Sequence, residues 1–226
     1  MTISPLDVLR KVPLFESLQE GELRSFAELT RERTHPKGSV ILFENDPGDS
    51  LFLVASGQVK VVLIGEDGRE VILSVLGEGS FFGEMSLIDD FPRSAHVIAM
   101  EDSRLLTLRR EDFQTRLRSS PDIAIALLRE LSRRLRRADE KIGSLVLLDV
   151  NGRVADLLLR NAEEEGGGDH IRRTLTHNTI AQMIGSSRET VSRTMRDFVE
   201  RGLISVTRKE ITILDRQALS AQAGRT

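Results

Sequence analysis

Between Gly38 and Leu108, short runs rich in Val, Ile, Leu and Phe alternate with Gly and Asp turn signals, about one every 8–12 residues. The runs read "SVILFEN", "SLFLVASG", "QVKVVLIG", "REVILSVLG" and "EGSFFGE". That spacing is the signature of an antiparallel barrel or roll. Within it "GEDGRE" predicts a hairpin, because Asp67-Gly68 can take the positive φ values of a tight turn.

At Ser120 the period changes. "SSPDIAIALLRELSRRLRRADEKIGSLVLLDV" offers Ser120 as an N-cap, Pro121 at the first helical position and Asp122 in the first turn. Leu128, Leu131, Leu135, Ala138, Ile142 and Leu145 then recur at spacings of 3, 4, 3, 4 and 3. A stripe packed on the helix's own barrel is usually wider than this. The strict pattern predicts a two-stranded dimer seam.

"GRVADLLLRNAEEEGGGDH" reads as a further helix ended by a Gly-rich turn, with "NAEEEGGGD" exposed. Next, Thr176 can cap a short helix whose inner face is Ile180, Ala181 and Ile184. Gly185 supplies a sharp turn, and Ser186 or Ser187 caps a second helix; Ser186 with Glu189 fits a capping box. Val191, Met195 and Phe198 form that helix's buried side, and Gly202 ends it. Two helices joined through a short Gly turn make a helix-turn-helix. The hairpin "LISVTRKEITIL", with Arg208-Lys209 at its tip, suits a wing lying on phosphate.

Arg188, Glu189, Thr190 and Arg193 fall in the first two turns of the second helix, the part that enters a major groove in such motifs. Arg can fork onto guanine O6 and N7, and Glu can accept from cytosine N4. With Thr176, Asn178 and Ser187 they are the candidate contacts to double-stranded DNA.

Composition agrees. The net charge of −3 hides a split: residues 151–226 hold 12 Lys+Arg and 10 Asp+Glu, whereas residues 1–150 hold 20 and 25. An acidic half joined to a mildly basic half suits a sensing module coupled to a DNA-binding one. No run of about 18 apolar residues is present, so no membrane partner is expected. "MTISPLDVLRKVPLF" lacks the basic start and long apolar block of a secretory signal, and a cytoplasmic location is expected. With Cys 0, thiolate zinc sites and cysteine-held iron–sulfur clusters are excluded.

The stretch "FFGEMSLIDDFPRSAHVIAM" places two opposite charges, Glu84 and Arg93, in apolar surroundings. Gly83 permits close approach of backbone to a ligand, and neighbouring N–H groups can cradle an anion. Arg93 carries a fork that matches phosphate, and Glu84 can accept from a ribose hydroxyl. A buried Glu84–Arg93 salt bridge is the alternative.

The chain resembles the cyclic-AMP receptor protein / Crp–Fnr superfamily of bacterial transcription regulators from about Leu14 to Leu214. The residues that carry the likeness are "GEMSLIDDFPRSA", "LVASGQVKV" with "GREVILSVLGEGSFFGE", "DEKIGSLVLLDVNGRVADLLL" and "IGSSRETVSRTMRDFVERGLI". The resemblance implies an α+β fold. A jelly-roll-like, antiparallel, cyclic-nucleotide-binding β-roll with flanking helices would fill residues 1–118. A dimerisation helix and hinge would occupy 119–149, and a winged helix-turn-helix 150–226. It also implies that Gly83 and Glu84 meet the ribose and that Arg93, Ser94 and the Ala95 N–H hold the cyclic phosphate. Leu73, Ser74 and Phe82 would line the walls, and Met85, Arg134 and Asp139 complete the candidate nucleotide residues. Arg188, Glu189 and Arg193 would read a TGTGA-like half-site in a palindrome bound by a homodimer, with RNA polymerase as a further partner. Nucleotide would extend or reposition the dimer helix near Asp149-Val150. Haem-binding members need axial ligands, but His35, His96, His170 and His177 form no cluster, so no metal or haem is expected.

One departure leaves the base open. Cyclic-AMP sensors usually place a Thr-Ser pair where this chain reads Ala138-Asp139. Asp139 can pair with Arg134 of a partner helix, accept from the adenine amino group, or accept from the paired donors of guanine. The allosteric ligand is therefore expected to be cyclic AMP, with cyclic GMP, cyclic di-GMP and ligand independence as alternatives. An enzyme acting on cyclic nucleotides would need metal ligands or a placed acid/base pair, and no such cluster is found.

Overall fold

The computed structural model describes residues 4–164, 166–171, 175–207 and 210–225. They fall into two compact units, Met1–Arg134 and Leu135–Thr226.

In the first unit the strands are β1 (Arg31–His35), β2 (Val40–Leu42), β3 (Ser50–Ser56), β4 (Val59–Ile64), β5 (Glu70–Leu76), β6 (Phe81–Phe82), β7 (His96–Ala99) and β8 (Ser103–Arg109). They pair antiparallel in two four-stranded sheets, ordered β1-β8-β3-β6 and β2-β7-β4-β5. Val54, Phe82 and Leu105 of one sheet meet Val59 and Val97 of the other in an inner core. Leu51, Leu53, Ala55, Leu106 and Leu108 form a second core with Leu9 of α1 (Pro5–Lys11), Phe26 of α2 (Glu20–Leu29) and Phe113 of α4 (Arg110–Ser119). Because β3 is buried on both faces, the centre of "SLFLVAS", Leu51 to Ala55, is apolar throughout instead of alternating. Each fully buried Leu or Phe here contributes roughly 1.5–3 kcal/mol.

Two details differ from the sequence-based expectation. The roll begins earlier, with β1, whose charged "RERTH" sits at a sheet edge where such residues discourage further pairing. In the β4–β5 turn only Gly68 has positive φ (78°); Gly68 N donates to Gly65 O and Asp67 Oδ1 accepts from Arg69 N. The loop is longer than a two-residue turn, so it needs one left-handed residue. The β4–β5 ladder pairs Val61 with Ser74 and Val62 with Ile72, leaving Leu73 as a bulge.

Helix α5 spans Pro121–Leu147. Its first turns carry both stripes at once. Ile123 and Leu127 are buried in the helix-side core, with Ala126 and Leu131 packed against it. Leu128 and Leu135 stand 65% and 64% exposed, and Ile142 58%. Leu131, expected in the seam, thus leans onto its own roll.

In the second unit α6 (Val150–Glu164) is opened by Asp149, whose Oδ1 accepts from Gly152 N at 2.8 Å. The exposed turn begins later than expected: Asn161 and Ala162 are buried helical residues, and Glu165 lies outside the described residues. Gly166 and Gly167 follow with φ of 109° and 77°.

The helix pair is α7 (His177–Ile184) and α8 (Arg188–Glu200), with Gly185 left-handed at φ 64° between them. Thr176 caps α7 by accepting from Thr179 N. Ser187, not Ser186, caps α8 by accepting from Thr190 N, which puts Glu189 one position too early for the expected capping box. After α8, Gly202 takes φ 70° and Leu203 N donates to Phe198 O, a Schellman-type end. Ile180, Ala181, Ile184, Val191, Met195 and Phe198 share one core. The wing strands β10 (Ile204–Val206) and β11 (Ile211–Ile213) pair antiparallel, with β9 (His170–Ile171) on the far side of β11. The expected wing tip, Arg208-Lys209, lies outside the described residues. Helix α9 (Arg216–Gln222) closes the unit.

Candidate functional site

Gly83 joins β6 to the short helix α3 (Met85–Asp89) with φ 83°. A Cβ there would stand 2.7 Å from Arg93 Nη1 and 3.2 Å from Ser50 O, so only glycine fits. Arg93 Nη1 donates to Gly83 O (2.6 Å) and Nη2 to Ser50 O (2.8 Å). The main chain on either side is pinned: Arg93 N donates to Asp46 O, and Arg93 O accepts from Asn45 N. Its guanidinium also lies 6.0 Å from the centre of the Phe52 ring, which stacks on Phe82 at 5.1 Å.

Arg93 is nevertheless short of negative charge. It is 3% exposed, and among the described residues the carboxylate within 4 Å is that of Asp49, at 3.9 Å on a well-exposed side chain. Its Nε is buried with no partner. Burial pulls the guanidinium below its ordinary pKa and Arg110 adds like charge, against the opposing pull of Asp49, Glu84 and Asp46. A buried cation bonded only to carbonyls carries an uncompensated desolvation cost. An anionic oxygen is the group that offsets it.

Glu84 and Arg93 do not pair with each other. Glu84, 3% exposed, accepts at Oε1 from Arg134 Nη1 (2.9 Å). Arg134 also donates from Nη2 to Phe81 O (2.7 Å) and from Nε to Glu130 (3.1 Å), and lies 4.6 Å over the Phe81 ring. The guanidinium expected to face Asp139 of a partner helix is thus engaged within its own chain. A carboxylate offers about four lone-pair sites, so Glu84 retains acceptor capacity for a hydroxyl.

The remaining expected residues spread around this centre. Ser94 is exposed, its Oγ 3.9 Å from Met85 Sδ, and Ala95 is buried. Phe82 lines the inner core, Ser74 is half-buried, and Leu73 at the bulge is 43% exposed. Asp139 is exposed on α5.

Sequence reasoning missed a second arginine. Arg110 donates from Nε and Nη2 to Gly48 O (3.0 and 2.6 Å) and from Nη2 to Ser86 O (2.7 Å), and pairs with Asp90, which is left-handed at φ 61°. A Cβ at Gly48 would strike Ser86 Cβ at 2.3 Å. Gly48 lies in "DPGD", a turn-type sequence, but nothing local connects it with Arg110, 62 residues on.

On the other unit, Thr176, Asn178, Ser187, Arg188, Glu189 and Arg193 are exposed at the starts of α7 and α8; Thr190 is half-buried beneath Arg193, which donates to its hydroxyl. Thr194, buried on the opposite side, donates to Asn151 Oδ1 at 2.7 Å and fixes the rotation of α8 against α6. Glu189 is held below the usual carboxylate range by its own backbone N–H, the Ser187 hydroxyl, and Arg188 and Arg193.

Residues 32–120 match the family model described as the cyclic nucleotide-binding domain, and residues 152–222 match the Crp-like helix-turn-helix domain. The chain is 33% identical over 221 residues to the CRP-like cAMP-activated global transcriptional regulator of Mycobacterium tuberculosis, covering 96% of this chain and 99% of that one. The chain belongs to the Crp/Fnr family. A second Crp/Fnr relative, the cyclic AMP receptor protein of Thermus thermophilus, is 38% identical over 192 residues, covering 85% and 88%. Among solved structures, a CooA variant from Carboxydothermus hydrogenoformans matches with TM-score 0.78 and 25% identity, covering 93% of this chain and 94% of that one. The two matched domains and the curated relatives make the chain a cyclic-nucleotide-binding, DNA-binding transcription regulator and not an enzyme.

Proposed function

We propose that the chain works as a cytoplasmic homodimer whose affinity for a palindromic TGTGA-like DNA site is switched by cyclic AMP, acting with RNA polymerase. The observation that carries the nucleotide reading is Arg93, a buried cation with an orphaned Nε between Gly83 and Ser50. Arg93, with Ser94 and Ala95, holds the cyclic phosphate. Glu84 accepts from the ribose, and Phe82, Leu73, Ser74 and Met85 flank the sugar and base. The relatives named for cyclic AMP support adenine as the base. Asp139, an exposed acceptor where hydroxyls are usual, supports cyclic GMP as the second reading.

The exposed stripe Leu128, Leu135, Ile142 supports a dimer along α5, with Leu131, Ala138 and Leu145 between. Two symmetric α8 helices would then read half-sites one helical turn apart through Arg188, Glu189 and Arg193, with Thr176, Asn178, Ser187 and Thr190 contacting the flanks. Leu135→Glu buries a carboxylate against its symmetry mate, so sedimentation should return a monomer where the parent chain gives a dimer.

The switch is tested by fluorescence anisotropy of a labelled TGTGA palindrome with no nucleotide, cyclic AMP, cyclic GMP or cyclic di-GMP. Cyclic AMP is expected to tighten binding by about tenfold or more, since a ligand shifts the equilibrium only through its differential affinity for the two states. Equal affinity under all four conditions rules the switch out.

A further inference from the structure

We propose that Met85 is a site of oxidation by hydroperoxides, and that its sulfoxide weakens the hold of Ser94 on a nucleotide phosphate. The modification itself needs no nucleotide; its effect on ligand binding rests on the function proposed above.

The chain has no cysteine, so the thioethers of its five methionines are its only sulfur atoms. Met195 is 3% exposed in the core of the second unit. Met183 is half-buried and packs on that same core, and Met100 is half-buried just past β7. Met1 lies outside the described residues. Met85, by contrast, stands 48% exposed. A thioether is oxidised through its sulfur lone pair, so the sulfur that solvent reaches most freely reacts first.

The place of Met85 gives its oxidation a consequence. It opens α3 directly after Gly83 and Glu84, on a backbone that is fixed on both sides. Glu84 and Ser86 are buried, Leu87 N donates to Glu84 O, and Ser86 O accepts from Arg110 Nη2. From there the Met85 side chain turns outward to Ser94, the neighbour of Arg93, whose hydroxyl donates to Sδ at 3.9 Å.

Thioether sulfur is a weak acceptor, so the Ser94 hydroxyl can be given up to a phosphate oxygen at little cost. Hydrogen peroxide changes that. The sulfur lone pair attacks one peroxide oxygen, an S–O bond forms and the O–O bond breaks. The transferred oxygen's proton passes to the departing hydroxide, which leaves as water. Sulfur is oxidised by two electrons and the peroxide is reduced by two. The new oxygen is the negative end of a polar bond and a much better acceptor than sulfur. It retains the Ser94 proton and sets partial negative charge beside the place of an anion. Both effects oppose phosphate.

The full chain treated with hydrogen peroxide, mapped by peptide mass and titrated calorimetrically with cyclic AMP, tests both halves. Met85 is expected to gain oxygen at least about threefold faster than Met100, Met183 or Met195. Full conversion should lower affinity by about tenfold, and methionine sulfoxide reductase should restore it. Met85→Leu, whatever its own affinity, should bind identically before and after treatment, and Ser94→Ala should lose a smaller factor than the parent chain. Faster oxidation of any of the other three, an affinity that peroxide leaves alone, or a parent-sized loss in either variant overturns the proposal. If the untreated chain binds no cyclic AMP, the nucleotide reading fails, and the order of oxidation still decides the site.

Discussion

Arg93→Ala lowers affinity for cyclic AMP by at least about a hundredfold, and with it the response of DNA binding to nucleotide. A phosphate held by the Arg93 fork gains two charge-assisted hydrogen bonds at roughly 1.5–3 kcal/mol each, and about 1.4 kcal/mol is a factor of ten. The neighbouring cation cannot substitute: Arg110 is spent on Gly48 O, Ser86 O and Asp90. Since Arg93 also ties Gly83 to Ser50, the alanine variant loosens the roll, and Arg93→Lys is the companion. Lysine keeps the charge and loses the fork, so it should bind with intermediate affinity in a roll of near-parent stability. Isothermal titration with a thermal melt of each variant separates the two effects. Parent-like affinity in Arg93→Ala would remove Arg93 from the nucleotide site.

Arg188→Ala should weaken binding to the palindrome by about ten- to a hundredfold while leaving random-sequence binding within a few-fold. A bidentate arginine–guanine contact is worth roughly 1–3 kcal/mol of discrimination per half-site. Arg188 is exposed, opens α8 and packs on nothing in the core, so the loss cannot be put down to unfolding. Competition with duplexes altered at single base pairs distinguishes base reading from phosphate contact. Loss of preference at one symmetric G·C pair marks the former; a uniform loss with a smaller salt slope marks the latter.

The residues behind these effects differ in how far the sequence discloses them, for physical reasons. Gly83 and Arg93 are legible because a glycine and a lone arginine interrupt a stretch that would otherwise pack as plain core. The helix pair is legible because caps, turn and core fall within 27 residues of one another, from Thr176 to Gly202. The choice of Ser187 over Ser186 as cap is not, because adjacent serines differ only in which precedes the first helical turn. The partner of Glu84 is not legible either: Arg134 lies 50 residues away on another element, and a pairing at that separation leaves no periodicity to read. The same holds for Arg110. The bulge at Leu73 is hidden because β5 is mostly apolar, Ser74 aside, and shows no clean alternation that a one-residue slip would break. On α5 the seam spacing is visible, but the second stripe, Ile123 and Leu127, does not separate from it, and Leu131 belongs partly to each.

A ribose hydroxyl at Glu84, as proposed above, would join an acceptor already bonded to Arg134 of α5. In that arrangement the ligand and the dimer helix would share one carboxylate, so binding at the pocket and the position of Arg134 would be linked. In the proposed switch, tightness of binding and size of response are separate properties. A pocket without Arg134 would hold its ligand with no tie to the helix, and so would be a poorer messenger however tightly it bound.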